Sequence, residues 1–171
     1  MLELLRKRRS IRKFKKERID PARVDDLKEA VLRSPSSRGI KPWKFFFVQD
    51  AEVIKKLSIC KEHGASFLKD APLAVVVCCD ETASDVWIED CSISALILHL
   101  TAESLGLGSC WIQVRNRKHN ADATSEEYVK KVLAIDAGPF RVLAIIAIGV
   151  PDEVKAGHPF ESIEQGKVVF V

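Results

Sequence analysis

Leu73-Ala74-Val75-Val76-Val77-Cys78-Cys79 is seven apolar residues in a row with no polar alternation. A strand with one face in water alternates, so an unbroken run of β-formers reads as a strand covered on both faces. A second run of this kind, Val142-Leu143-Ala144-Ile145-Ile146-Ala147-Ile148, lies within Arg141–Gly149 and is closed by Pro151. Both runs therefore read as strands buried on each face. The segment between the two runs supplies the longest helix, residues 85–106, apolar nearly all round from Ile93 to Leu100. A helix without a solvated face belongs at the centre of the molecule or at a subunit interface.

Working outward, Trp43–Val48 and Ser109–Val114 read as further strands. Asp20-Pro21 is a helix start, with Asp able to cap and Pro suited to the first turn; Val24, Leu27, Val31 and Leu32 then form a stripe that ends near Ser34, before Pro35. Asp50 caps a helix expected to run to about His63 and to stop at Gly64. Thr124-x-x-Glu127 is a capping box opening a helix to about Ala134. Residues 2–9 can form a short helix. The tail Val168-Val169-Phe170-Val171 is too apolar for a frayed end and is expected to pair with a sheet edge, on this subunit or another. The pattern is mixed α and β without internal repeats, and 171 residues at 47% hydrophobic suit one domain over 1–171.

The net charge of +3 conceals an uneven distribution. Residues 1–18 hold nine Lys/Arg against two Glu, whereas the remainder holds 18 basic and 22 acidic residues. Within that block, Arg8-Arg9-Ser10-Ile11-Arg12-Lys13-Phe14 combines guanidinium forks and a hydroxyl, donors matched to phosphate oxygens, with two apolar anchors, Ile11 and Phe14. Most charge runs are only solvated faces. A docked one presents its arginines to a single spot, which suits a small phosphate better than a nucleic-acid backbone, and no nucleic-acid motif occurs.

Other chemistry is sparse. Gly106-Leu107-Gly108 is followed by Trp111 where a dinucleotide-binding loop needs its third glycine, and it follows a helix rather than opening one. His63, His99, His119 and His158 have no metal-ligand spacing, and His99 reads as a satisfied core residue. Five cysteines, an odd number without a CxxC, point to reduced thiols and a cytoplasmic setting. No stretch is apolar for the ~20 residues of a membrane span, and no secretory signal precedes the basic block. An anion site without protein-borne catalytic groups points to a phosphate-bearing organic cofactor that carries the chemistry.

Four motifs in order make the chain resemble the nitroreductase-type FMN flavoenzymes. Arg8–Phe14 is similar to that family's opening motif. Ser34-Pro35-Ser36-Ser37-Arg38-Gly39-Ile40-Lys41-Pro42-Trp43-Lys44-Phe45 resembles its A-P-S-x-x-N-x-Q-P-W-x-F loop and strand, and Gly106–Ile112 its G-L-G-T-C-W-I. Ala144–Asp152 resembles its penultimate strand and G-x-P turn, and Pro159-Phe160-Glu161 echoes its P-L-E-E.

The resemblance implies an α+β fold, a mostly antiparallel sheet flanked by helices, in an intertwined homodimer with FMN at the interface. It implies that Arg8, Arg9, Ser10 and Arg12 surround the FMN phosphate, ribityl chain and ring edge. Pro35, Ser36, Ser37, Arg38 and Gly39 would come from the other subunit, and Trp111, Ile112 and Gln113 would line the ring, largely through backbone groups. It further implies ping-pong transfer of hydride from NAD(P)H through flavin N5 to a nitroaromatic, quinone or similar small-molecule acceptor, with no catalytic side chain. The alternatives are a same-fold enzyme of other chemistry, such as dehalogenation or azoline oxidation, and a non-enzymatic flavin- or nucleic-acid-binding module. The chain departs from the pattern at Gly39 and Lys41, where the family has Asn and Gln, and at Gln113, where glycine is common. It also lacks the usual Arg before P-L-E-E, leaving Lys155 or His158 for that phosphate contact, and it has little room between residues 64 and 85 for a lid.

Overall fold

The computed structural model describes residues 1–136 and 138–171. Strands β1 (Trp43–Val48), β2 (Leu73–Asp80), β3 (Gly108–Gln113) and β4 (Phe140–Gly149) form one sheet in the order β1-β2-β4-β3, every neighbouring pair antiparallel. The two unbroken apolar runs are the two central strands. Their side chains divide by pleat between two cores. Ala74, Val76, Cys78, Ile145 and Ala147 pack against Ile54 and Leu57 of helix α3 (Ala51–Leu57) and Val129 of a later helix, Ser125–Val132. Val75, Val77, Cys79, Ile146 and Ile148 meet Val24, Leu27 and Val31 of α2 (Pro21–Leu32), and Cys91, Ala95 and Leu98 of α4 (Trp87–Ser104). Each fully buried Val, Leu or Ile contributes roughly 1.5–3 kcal/mol of transfer free energy, so the unalternating pattern and the covered sheet are one fact. The expected mostly antiparallel sheet with flanking helices is therefore what the sequence builds.

The start signals act as their chemistry requires. The Asp20 carboxylate accepts from Ala22 N, the Asp50 carboxylate from Glu52 N and Val53 N, and Thr124 with Glu127 closes a full capping box on α5 (Ser125–Val132). The short first helix, α1, covers Leu2–Lys7.

Three expectations need correction. The helix capped by Asp50 ends at Leu57, not His63: the Ser58 hydroxyl takes the Lys55 carbonyl, and the Ile59 carbonyl is held by the His119 ring at 2.9 Å, so residues 58–64 leave the helix for a tertiary contact. Among the described residues the apolar tail pairs with no sheet edge of its own chain. Phe170 is 95% exposed, and residues 165–167 form a single 3-10 turn. The long helix is also not covered all round: Ile93 and Leu96, one turn apart, are 41% and 49% exposed. No helix among the described residues is long and apolar enough to cross a membrane.

Candidate functional site

The basic N-terminal segment is docked, as its two anchors predict. Ile11 and Phe14 are buried. Ser10 bridges Ser109 in parallel, with Ile11 N donating to the Ser109 carbonyl at 3.0 Å, and Phe14 bridges Pro151. Lys15 N donates to the Val150 carbonyl and Asp152 N to the Lys13 carbonyl, each at 2.9 Å. The close approach needs glycine at 108, where a Cβ would stand 2.8 Å from Cβ and Cγ2 of Ile11.

Glu153 decides the electrostatics of this segment. Its Oε1 accepts from Arg12 N at 2.6 Å, from Lys13 N at 3.2 Å and from Lys155 Nζ at 2.9 Å. These contacts, the Arg12 amide first, hold its carboxyl down at about 2. The nearest carboxylate is thus committed to backbone and to Lys155. Arg8, Arg9 and Arg12 have no ion-pair partner among the described residues. Arg9 donates to the Ala156 carbonyl, and the Arg12 guanidinium lies 5.8 Å from the centre of the Phe67 ring. Lys155 also donates to the Ser10 carbonyl at 2.9 Å. Two of its three N–H groups therefore brace the segment, and one remains. The docked segment thus carries three guanidiniums without carboxylate partners among the described residues.

The segment lies beside an open strand edge. Among the described residues β3 pairs only with β4, and along its other side the basic segment covers Ser109 alone. In an antiparallel strand both backbone groups of a residue face one neighbour, and the facing side alternates. The Ser109 carbonyl faces Ile11, so the backbone groups of Trp111 and Gln113 face the open edge, whereas those of Ile112 face β4. The Ile112 side chain is fully buried in the core, so it sets position rather than contact. Trp111 Nε1 donates to Gln113 Oε1 at 2.9 Å, and Gln113 Nε2 donates to the Arg115 carbonyl at 2.8 Å, which locks both side chains along the edge. Behind them His99 stacks on Trp111 at 6.4 Å, and its Nδ1 is 2.7 Å from Ser109 Oγ. Burial first, then the Arg8 charge, pushes the His99 pKa down to about 4, so the ring is neutral at pH 7. His99 is a satisfied core residue, as its place in an apolar helix predicts, and it also backs the site.

The Ser-rich loop lies elsewhere. Ser37–Gly39 form a 3-10 turn with Arg38, Gly39 and Lys41 all at positive φ, a strained backbone for the two non-glycines. The loop is pinned by Asp90, a buried carboxylate in the first turn of α4. Its Oδ1 accepts from Ser37 N at 2.7 Å and its Oδ2 from the Ser84 hydroxyl at 3.0 Å. Lys41 N donates to Ser36 Oγ at 2.8 Å, and Arg38 pairs with Asp85. Asp90 and His99 are nine residues apart on α4, about 13 Å at the helical rise. Within one chain, then, Arg8, Ser10, Arg12, Lys155 and Trp111–Gln113 lie on the docked segment and the strand edge beside it, and Pro35–Gly39 are held half a helix length away along α4. Asp90 and the Gln113 clamp have no signal in the sequence, because both depend on partners far along the chain.

The comparisons with known proteins fit this geometry. The family model described as the Nitroreductase family matches residues 5–60 and 57–150. A putative NADH dehydrogenase/NAD(P)H nitroreductase of Methanothermobacter thermautotrophicus is 32% identical over 158 residues, spanning 90% of this chain and 78% of that protein. A protein of the same description from Archaeoglobus fulgidus is 31% identical over 158 residues, spanning 90% and 87%. A solved FMN-dependent nitroreductase from Clostridium difficile superposes with a TM-score of 0.97 at 42% identity, covering 99% of this chain and 98% of that one. The matched residues take in the docked basic segment, the Ser-rich loop, the open edge of β3 and the two central strands, and the chain belongs to the nitroreductase family.

Proposed function

We propose that this chain is an FMN-dependent NAD(P)H oxidoreductase that acts as a homodimer on a small-molecule acceptor such as a nitroaromatic or quinone. The observation that carries the reading is the set of guanidiniums at Arg8, Arg9 and Arg12, held without carboxylate partners beside the open edge of β3. The residues fit FMN: the arginines and Ser10 are donors for a phosphate, and the exposed backbone groups of Trp111 and Gln113 are complementary to the polar edge of a flavin. When bound, FMN would supply hydride acceptance from NAD(P)H at N5 and its return to the acceptor.

The protein's part is then binding and field. Arg8 and Arg12 bind the phosphate end and favour negative charge nearby. Lys155 and Glu153 hold Ser10 and the Arg12 amide in place. Trp111 and Gln113 orient the ring, and neutral His99 keeps Trp111 packed without adding a second charge. Only the Ser66–Asp70 turn lies between Gly64 and β2, which supports an open pocket tolerant of several acceptors.

Dimerisation supplies what one chain lacks. Pro35, Ser36, Ser37, Arg38 and Gly39 of one protomer would complete the site of the other. Ile93 and Leu96 on α4 would be covered by the partner. The apolar tail has a suitable seat along edge strand β1, where Val31, Leu32, Trp43, Phe45 and Phe47 line a groove of about 440 Å³. The five cysteines are unpaired and buried, which supports a reducing, cytoplasmic setting. The test is an anaerobic titration of the purified protein with NADH and with NADPH, following loss of the flavin absorbance. A protein that binds no added FMN, or whose bound flavin neither nucleotide bleaches, would overturn the reading.

A further inference from the structure

A second group of cations lies beside the open edge of β3. The loop after α3 (residues 58–65) and the loop after β3 (residues 114–123) meet there, tied by the contact of His119 with the Ile59 carbonyl. Between them is a cleft of about 250 Å³ lined by Lys61, Glu62, His63, Arg117 and Lys118. An adjoining hollow of about 340 Å³ shares Lys61, Glu62 and His63 with it. Lys61 is half-buried, and its ammonium folds over the left-handed turn at Gly64, 3.8 Å from where a Cβ would stand.

Neither Lys61, Arg117 nor Lys118 has a carboxylate within 4.0 Å among the described residues, and Glu62, the acid in the lining, is ion-paired with none of them. Burial lowers the Lys61 pKa, and the Arg117 charge works in the same direction. Cations gathered in a concavity and left without an ion-pair partner repel one another, and a dianion bridging them would relieve that repulsion. The cleft and the proposed cofactor site are joined by β3: Arg117 and Lys118 sit in the loop that continues directly from Trp111–Gln113.

We propose that this cleft binds a phosphate monoester, the one that distinguishes the phosphorylated reducing dinucleotide from the unphosphorylated one, and so sets a preference for NADPH. This rests on the hydride-transfer reading above. With the nicotinamide at the strand edge, the adenosine end of a dinucleotide is free to lie along the neighbouring loops.

The probes are adenosine 2′,5′-bisphosphate, adenosine 5′-monophosphate and inorganic phosphate, titrated calorimetrically into the FMN-loaded protein. The bisphosphate should bind about tenfold or more tighter than the monophosphate, the usual scale for one charge-assisted phosphate contact. Lys61→Gln and Arg117→Gln should each remove most of that difference, and Lys61→Arg should retain it. In steady state the same Gln variants should raise the KM for NADPH and leave the KM for NADH and kcat unchanged. Equal affinity for the two nucleotides, equal losses for both in the variants, or inorganic phosphate binding as tightly as the bisphosphate would overturn the proposal. A protein that takes up no flavin would instead sink the oxidoreductase reading, and calorimetry on that same protein would still report on the cleft.

Discussion

If each cofactor site takes its basic segment from one protomer and its Ser-rich loop from the other, two damaged chains should repair each other. The perturbations are Arg8→Ala and Asp90→Ala. Arg8 has no ion-pair partner among the described residues, so truncating it removes charge-assisted contacts to the ligand and leaves no carboxylate stranded. That loss is worth about 1.5–3 kcal/mol, or roughly ten- to more than a hundredfold in FMN affinity. Asp90 touches no ligand, but it is 2% exposed and holds Ser37 N and the Ser84 hydroxyl. Its loss leaves two donors without an acceptor, about 1–3 kcal/mol each, and frees a loop whose Arg38 and Lys41 are held at positive φ. Asp90→Asn should keep most of the affinity, because its amide oxygen can still accept from Ser37 N while the Ser84 hydroxyl turns to accept from the amide nitrogen.

The assay is flavin-dependent NAD(P)H oxidation, at an FMN concentration between the wild-type Kd and those of the variants. Each variant homodimer should be nearly inactive. In a mixed dimer, one site combines both defects and the other combines intact Arg8 with an intact loop. Random mixing gives half mixed dimers, so co-refolded equimolar chains should recover about a quarter of wild-type activity. If basic segment and loop serve the same chain's site, every mixed-dimer site carries one defect and no activity returns. That result would refute the cross-subunit site.

Other expectations follow from single contacts. Gly108→Ala drives a methyl into Ile11; the overpacking should cost about 1–3 kcal/mol in urea unfolding and weaken FMN binding, because the displaced segment carries Arg8 and Arg12. The His99 pKa is lowered from 6.5 to about 4. The unfolded chain therefore binds the extra proton first, and stability should be lost as pH falls from 6.5 to 4, by up to about 3 kcal/mol; His99→Phe should flatten that slope in urea melts at pH 7 and pH 4.5. The Glu153 carboxyl, held at about 2, acts in a lower window: its stabilising contribution is full above 4.5 and disappears as pH falls through 2, so Glu153→Gln should lower stability above pH 4.5 and flatten the loss between 4.5 and 2 in urea melts. Leu96→Glu, a charge placed on the exposed apolar turn of α4, should shift the mass in light scattering from dimer to monomer while far-UV circular dichroism stays unchanged.

The parts of the fold legible in the sequence are those set by local chemistry or by uniform burial. The two central strands are visible because a residue covered on either face must be apolar, and α2 and α5 because Asp20-Pro21 and Thr124-x-x-Glu127 satisfy their own first-turn donors. The end of α3 is not legible, since Leu57 is followed by nothing that breaks a helix. The chain departs there because His119, sixty residues on, takes the Ile59 carbonyl.

The same division separates the halves of the candidate site. The guanidiniums could be named from residue type, and Ile11 and Phe14 mark them as docked. Whether they are free to bind an anion depends on where Glu153 spends its charge, and that depends on the backbone geometry of Arg12 and Lys13. Had Glu153 paired with the Arg12 guanidinium instead of its amide, the same sequence would give a neutralised surface. The unpaired state of the arginines is thus a tertiary property, and it is the property on which anion binding rests. The departure at Lys41 is of the same kind. With lysine in place of the family's Gln, the loop keeps its shape through Lys41 N, bonded to Ser36 Oγ, and through Ser37 N, bonded to Asp90. Backbone donors can be supplied by almost any residue type, so a loop held in this way can change side chains at 39 and 41 among residues that tolerate their positive φ, provided that Ser36 and Asp90 remain.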